Sequence, residues 1–459
     1  MGTDTHAAGL EGTLVERGDP EYERLWTSMV WNGLKPARFP EVIVSAASER
    51  DVPRALRLAR SRSLHVSVRS GGHSWCASPL REGSLLLDLS RLRGRTVDPD
   101  SRTAEVQPGV TGGELAAELS RYGLAFPSGH CPSVAVGGYL LSGGLGWNPG
   151  VFGPACASVL GIEAVTADGE VVRCDAGERP ELFWAARGAG PGFFAVVTRF
   201  RLRLYPLPSA ITTTAYSFPL AEAEPVARRL AEVAEGLDPS VEAGMTLATA
   251  GPEVSDASPR PKVVSVTATA FADSRREAVR SLAPLRDCPF AERALVRRED
   301  EPTCFASLYE GGDGVWPREH RYAVDTLWSD EDLGTLMALC GEAMAMAPSE
   351  KSLVLVPIAP ASRNPELLRD MAFSVLGRNY LVPYAVWDDP AQDADQLRWL
   401  RRTMNVLEPL GTGHYVAEAD LPAGLSRAER SFTPDGWRRL EALRARYDPD
   451  GVFPSYLPR

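Results

Sequence analysis

Two glycine-dense segments constrain this chain more than anything else in it. Residues 68–79 read VRSGGHSWCASP, and residues 127–147 read PSGHCPSVAVGGYLLSGGLGW. At that density backbone N–H groups can approach a bound group with no Cβ in the way. Successive N–H groups in turns also form concave sites for anions such as a diphosphate. The segments lie among alternating strand and helix patterns. Residues 41–46, 65–68 and 84–89 have strand composition, and residues 49–62 place Val52, Ala55, Leu56 and Ala59 on one helical stripe. Residues 103–107 form a strand closed by Pro108-Gly109. Residues 113–122 form a helix with Gly123 at the expected C-cap. Residues 161–166 and 170–174 flank Ala167-Asp168-Gly169, a hairpin by its Asp-Gly turn. A long strand over 193–205 ends at Pro206.

The texture changes after Pro208. Residues 211–218, 262–272, 352–358 and 381–387 read as strands of a separate sheet, with helices over 222–235, 274–285 and 331–345 between them. That order suggests an antiparallel sheet with covering helices, an α+β arrangement. A helix over 433–447 follows. With 459 residues the chain is long enough for two or three cores.

Several functions drop out. The nearest approach to a GxGxxG dinucleotide fingerprint, Gly188-Ala189-Gly190-Pro191-Gly192, has the wrong spacing, and no GxxxxGK[ST], HExxH or GxSxG occurs. A net charge of −11 argues against a broad nucleic-acid groove. No apolar run reaches the roughly 18 residues that cross a bilayer. Residues 1–20 are polar with no apolar leader core, so the expectation is a soluble, cytoplasmic protein. The cysteines (Cys76, Cys131, Cys156, Cys174, Cys288, Cys304 and Cys340) are odd in number and scattered, with no CxxC. They make neither a disulfide framework nor a structural zinc site, and no metal is expected.

Val68-Arg69-Ser70-Gly71-Gly72-His73-Ser74 resembles the signature of FAD-linked oxidases of the vanillyl-alcohol-oxidase/PCMH fold, in the berberine-bridge-enzyme-like branch. The likeness continues through Gly129-His130-Cys131-Pro132-Ser133-Val134, Gly137–Trp147, Ala167-Asp168-Gly169, Leu182–Gly188 and Phe193–Thr198. It is strong over residues 22–208 and loose beyond. It implies an α+β fold: a PCMH-type FAD-binding domain over 1–208, an antiparallel-sheet substrate domain with covering helices over 209–410, and a segment over 411–459 that returns to the FAD domain.

By the same resemblance, FAD is held covalently, by His73 through the flavin 8α-methyl group and by Cys131 through C6. The remaining expected cofactor contacts are Arg69, Ser70, Gly71, Gly72, Ser74, Pro108, Gly109, Gly129, Val134, Gly137, Gly138, Tyr139, Gly143, Gly144, Val165 and Tyr415. A small side chain at Val134 goes with oxygen access in such relatives. The sequence departs from the family at Tyr415-Val416-Ala417-Glu418-Ala419-Asp420, where Ala417 replaces a usual Asn and Glu418 a usual Tyr base. If that stretch is extended, Glu418 and Asp420 face away from Tyr415 and Ala417. Glu418 is then the candidate base and Tyr415 orients substrate or flavin. The implied activity is hydride transfer from a small molecule to flavin N5 with O2 reoxidising the flavin to give H2O2. A redox-neutral cyclase and a dehydrogenase that does not use O2 stay open. Only Lys35, Lys262 and Lys351 among 49 basic residues are lysines. That bias resembles high-GC bacterial coding and points to a secondary-metabolite substrate. Nothing in the sequence assigns an oligomeric state.

Overall fold

The computed structural model describes residues 9–255, 259–358 and 365–457; the first eight residues of the N-terminal stretch lie outside that range. The first sheet has four strands in the order Thr13–Glu16, Val42–Ser45, Leu85–Asp88, Val66–Arg69. Its last three strands pair in parallel and Thr13–Glu16 pairs antiparallel at the edge; the central strands are buried on both faces, which is why VIVS and LLLD carry no alternation. The helix Asp51–Ser61 packs Val52, Ala55, Leu56 and Ala59 into the core, as its stripe predicts. The second sheet is antiparallel, in the order Arg95–Asp98, Thr103–Val106, Ala195–Arg203, Val159–Thr166, Val171–Cys174. A bulge at Thr198 bends its central strand.

The third sheet has eight antiparallel strands. Its main path runs Val296–Thr303, Ala210–Pro219, Lys262–Ala272, Val241–Thr249, Leu353–Ile358, Asn379–Trp387, Arg321–Val324, and Leu327–Ser329 also pairs with Asn379–Trp387. One face is covered by helices that include Ala223–Ala234, Arg275–Arg286, Leu333–Ala345 and Asp393–Leu407. The other face carries an aromatic layer with Trp31, Tyr322, Tyr380, Tyr384 and Tyr415. That layer faces the two glycine segments.

The chain then returns. Trp328 and Gly413 form a bridge, and the Tyr415 N–H donates to Thr326 Oγ1 at 3.0 Å. Residues 415–419 are a turn rather than a strand: the N–H groups of Glu418 and Ala419 both donate to the Tyr415 carbonyl, at 3.0 and 2.9 Å. Alternation therefore does not apply, and Tyr415 and Glu418 come to the same cavity. Behind the turn, Arg427 pairs with Asp325 at 2.9 Å and with Glu408 at 2.6 Å, and His414 lies 3.2 Å from Glu408. Burial works against the Glu408 carboxylate, but His414, Arg427 and Arg430 outweigh it and push its pKa down to about 2. A depressed carboxylate stabilises the fold fully above its unfolded value of about 4.5, and that contribution fades as pH falls toward 2. Thermal melts between about pH 5 and pH 2 should therefore lose stability more steeply in wild type than in Glu408→Gln. Equal slopes would show that this cluster does not hold the turn.

Candidate active site

One cavity of about 370 Å³ runs between the two glycine segments, under the aromatic layer, and on to the C-terminal tail. Its floor starts at the strand Val66–Arg69. Arg69 is locked: Nη1 pairs with Asp88 at 2.7 Å, Nε donates to the Met29 carbonyl, and Nη2 donates to the Gly71 carbonyl. The chain then turns through Gly72 at φ +75°, where a Cβ would strike the Met29 carbonyl oxygen. The second segment packs closely on the first: a Cβ on Gly71 would strike the Ala135 side chain. The Gly137 N–H donates to the Pro108 carbonyl, and a Cβ on Gly137 would strike Ser70 Oγ. A Cβ on Gly138, by contrast, would meet nothing within 4 Å, and Gly138 lines the cavity. Its missing side chain leaves room that no protein atom fills.

Two nucleophile-bearing side chains meet over this floor. His73 Nε2 lies 3.1 Å from Ser133 Oγ, and the same hydroxyl lies 3.6 Å from Cys131 Sγ. His73 stacks on Trp31 with ring centroids 5.1 Å apart. Burial, with the nearby charges of Arg318 and Arg69, pushes the His73 pKa down to about 4. Its imidazole is neutral near pH 7 and keeps a nitrogen lone pair. Val134 also lines the cavity. Beside Cys131, His130 Nε2 pairs with Glu242 of the large sheet at 2.6 Å. Burial opposes the imidazolium there, but Glu242 raises its pKa.

Glu418 enters from the opposite wall. Three donors converge on its carboxylate: Tyr380 Oη at 2.6 Å, Tyr384 Oη at 3.2 Å and Trp75 Nε1 at 3.4 Å. Tyr415 Oη accepts the Gly144 N–H at 2.9 Å. Burial raises the pKa of all three phenols, with the Glu418 charge adding to it, so they stay protonated, and Tyr380 and Tyr384 act as donors.

Of the residues expected at the site, Arg69 through Ser74, Pro108, Gly129, Cys131, Val134, Gly137, Gly138, Tyr139, Tyr415 and Glu418 line the cavity. Gly109, Gly143, Gly144 and Val165 do not. Gly109 turns tightly against the carbonyls of Leu89 and Leu92. Gly143 and Gly144, at φ +114° and +82°, make room for the rings of Phe373 and Tyr139. Val165 is buried in the second sheet, opposite Val196, whose neighbours Ala195 and Val197 face the cavity instead. Reading motifs alone misses Trp31, Trp75, Trp316, Leu355 and Tyr384 in the roof, and Phe453 and Pro454 at the tail end.

Residues 40–175 match the model of an FAD binding domain. The FAD-linked oxidoreductase nodO of Hypoxylon pulicicidum is 31% identical over 425 residues, covering 92% of this chain and 91% of that protein. This chain belongs to the FAD-linked oxidoreductases. The (R)-6-hydroxynicotine oxidase of Paenarthrobacter nicotinovorans is 27% identical over 462 residues, 97% of this oxidoreductase and 95% of its relative. Among solved structures, 6-hydroxy-D-nicotine oxidase from Arthrobacter nicotinovorans superposes with a TM-score of 0.84 at 22% identity, over 99% of this chain and 98% of that one. The berberine bridge enzyme of Eschscholzia californica gives 0.82 at 20%, over 98% and 96%. The fold is thus the PCMH-type flavoprotein fold, and the cofactor is FAD. The site fits it: a glycine floor with open space at Gly138, and two nucleophiles over one end. Among the described residues no helix is long and apolar enough to cross a membrane, and no cluster of His, Cys, Asp or Glu would hold a metal ion.

Proposed function

We propose that this oxidoreductase is an oxidase that holds FAD covalently through His73 and Cys131 and oxidises a small-molecule substrate, with Glu418 as base and O2 as electron acceptor. The observation that carries the reading is the convergence of His73 and Cys131 on one Ser133 hydroxyl, in a cavity whose far wall presents Glu418. Bound FAD would supply the two-electron acceptance that no amino-acid side chain provides.

The protein's own groups do the rest. His73, neutral at physiological pH, has the lone pair that a bond to the cofactor needs. The Gly71–His73 turn and Gly138 line the cavity with backbone that no Cβ shields, which lets a diphosphate approach amide N–H groups. Tyr380, Tyr384 and Trp75 fix the Glu418 carboxylate in one orientation, within reach of a substrate proton. Tyr415, held protonated by burial, cannot take up a proton from substrate, so it orients and Glu418 accepts. We assign residues 1–208 to the cofactor, 209–410 to its substrate-facing roof, and 411–459 to the return that carries Tyr415 and Glu418. The reading keeps a cytoplasmic enzyme and a secondary-metabolite substrate.

The acceptor can be tested with no substrate in hand. Enzyme reduced photochemically under argon is mixed with aerated buffer, and flavin absorbance and peroxide are followed together. An oxidase reoxidises within seconds and releases one H2O2 per flavin; slow reoxidation would make the protein a dehydrogenase. Val134 lines the cavity three residues after Cys131. Val134→Leu adds a methylene to that wall and is expected to slow reoxidation while leaving anaerobic reduction near wild type. Unchanged oxygen kinetics would remove Val134 from the oxygen path.

A further inference from the structure

Arg69, Arg81 and His130 are the cationic side chains of the cavity lining. Arg69 pairs with Asp88 and His130 with Glu242, but Arg81 forms no ion pair among the described residues. We propose that Arg81 is the counter-charge for the FAD diphosphate, a side-chain contact beside the amides of the glycine turns. The proposal rests on FAD as the cofactor and is independent of how many covalent links hold it.

The guanidinium is fastened from both sides. Its Nε donates to the Ser78 carbonyl at 3.0 Å, and Ser78 in turn donates to Ser74 Oγ through its N–H at 3.1 Å and its hydroxyl at 2.9 Å. Ser74 directly follows the Gly71–His73 turn. On the other side, Nη2 donates to the Ser455 carbonyl at 2.8 Å, next to Phe453 and Pro454 of the cavity lining. Nη1 makes no hydrogen bond among the described residues, yet it is not sealed in protein as Arg38 Nε is. A fixed guanidinium with a free amino group beside a glycine turn suits phosphate oxygens, which it meets with charge-assisted hydrogen bonds.

The surroundings of Arg81 add to its charge instead of cancelling it. Arg38 donates to the carbonyls of Cys76 and Ala77, and its Nε is buried without a partner. Arg444 donates to the carbonyls of Phe453 and Gly192. Burial first, and then the charges of Arg38 and Arg444, push the Arg81 pKa down to about 10, so it stays protonated near neutral pH. The nearby Cys76 thiol supplies no negative charge, because burial raises its pKa. Cations drawn out of water and held only by carbonyl dipoles are costly, and an anion offsets that cost. Glu418 disfavours an anion at the substrate wall, so the anion that this cluster attracts belongs to the cofactor.

The test reads binding and needs no turnover. The full-length His73→Ala/Cys131→Ala double variant is kept in FAD, so that capture is read without a tether; if wild type proves untethered, it serves equally. ADP and adenosine are added separately, and displaced flavin is measured in the ultrafiltrate. With Arg81 in place, ADP should displace FAD at a concentration at least about tenfold lower than adenosine, the usual size of a hydrogen bond to a charged group. Arg81→Gln, which keeps a donor for the Ser78 or Ser455 carbonyl, should shrink that ratio to about threefold or less. Arg81→Lys, which keeps the charge without the fork, should retain most of it. Melting temperatures check that both variants fold. Phenylglyoxal labelling needs no substitution at Arg81: FAD and ADP should block labelling of Arg81, read by peptide mass, and adenosine should leave it. An unchanged ratio in Arg81→Gln, a ratio in Arg81→Lys as low as in Arg81→Gln, or equal labelling of Arg81 with and without FAD would overturn the proposal.

Discussion

Glu418→Gln is expected to slow anaerobic flavin reduction by about 10²–10⁴-fold, the usual cost of losing a general base, with the first substrate found to bleach the flavin. The substitution keeps side-chain volume and one acceptor oxygen, so one of Tyr380, on Oε2 in wild type, and Tyr384, on Oε1, can still donate. What is lost is the ability to take a proton. Tyr415→Phe is the contrast: burial keeps that phenol protonated, and its oxygen accepts from backbone, the Gly144 amide at 2.9 Å. Losing one neutral hydrogen bond costs about 0.5–1.5 kcal/mol, so roughly tenfold or less is expected. A reversed ranking, with Tyr415→Phe crippling and Glu418→Gln mild, would move the base to Tyr415.

The cofactor half of this site was legible because its constraints act on the backbone. Gly71, Gly72 and Gly137 each sit where a Cβ would collide with neighbouring atoms, and such positions admit little besides glycine. Gly143 and Gly144 carry the same signal where they make room for the rings of Phe373 and Tyr139. A sequence shows that a Cβ is forbidden and does not show what forbids it. The strand Val241–Thr249 went unread because VEAGMTLAT mixes glycine and small residues with no clean alternation. Asn379–Trp387 was read, but all nine of its residues are buried, so no pattern marked Tyr380 and Tyr384 as site residues. The turn at 415–419 depends on Asp325, Thr326 and Trp328, which are some 90 residues away in the chain. Local alternation could not foresee it.

The second large effect is all-or-none. His73→Ala and Cys131→Ala should each keep the flavin attached through the partner that remains, and the double variant should release all of it on acid treatment. Both side chains meet at Ser133, so either one alone still reaches the same end of the cavity. Ser133→Ala should leave both links able to form, because the hydroxyl positions the nucleophiles and bonds to nothing in the product. If one single variant lost all covalent flavin, the protein would have one tether, and the other residue would only pack beside it.

The most direct measurement is the intact mass of the wild-type protein after acid denaturation. The account predicts a single species at the polypeptide mass plus one FAD, with no yellow colour in the acid supernatant. A bare polypeptide mass with all the flavin in solution would contradict it.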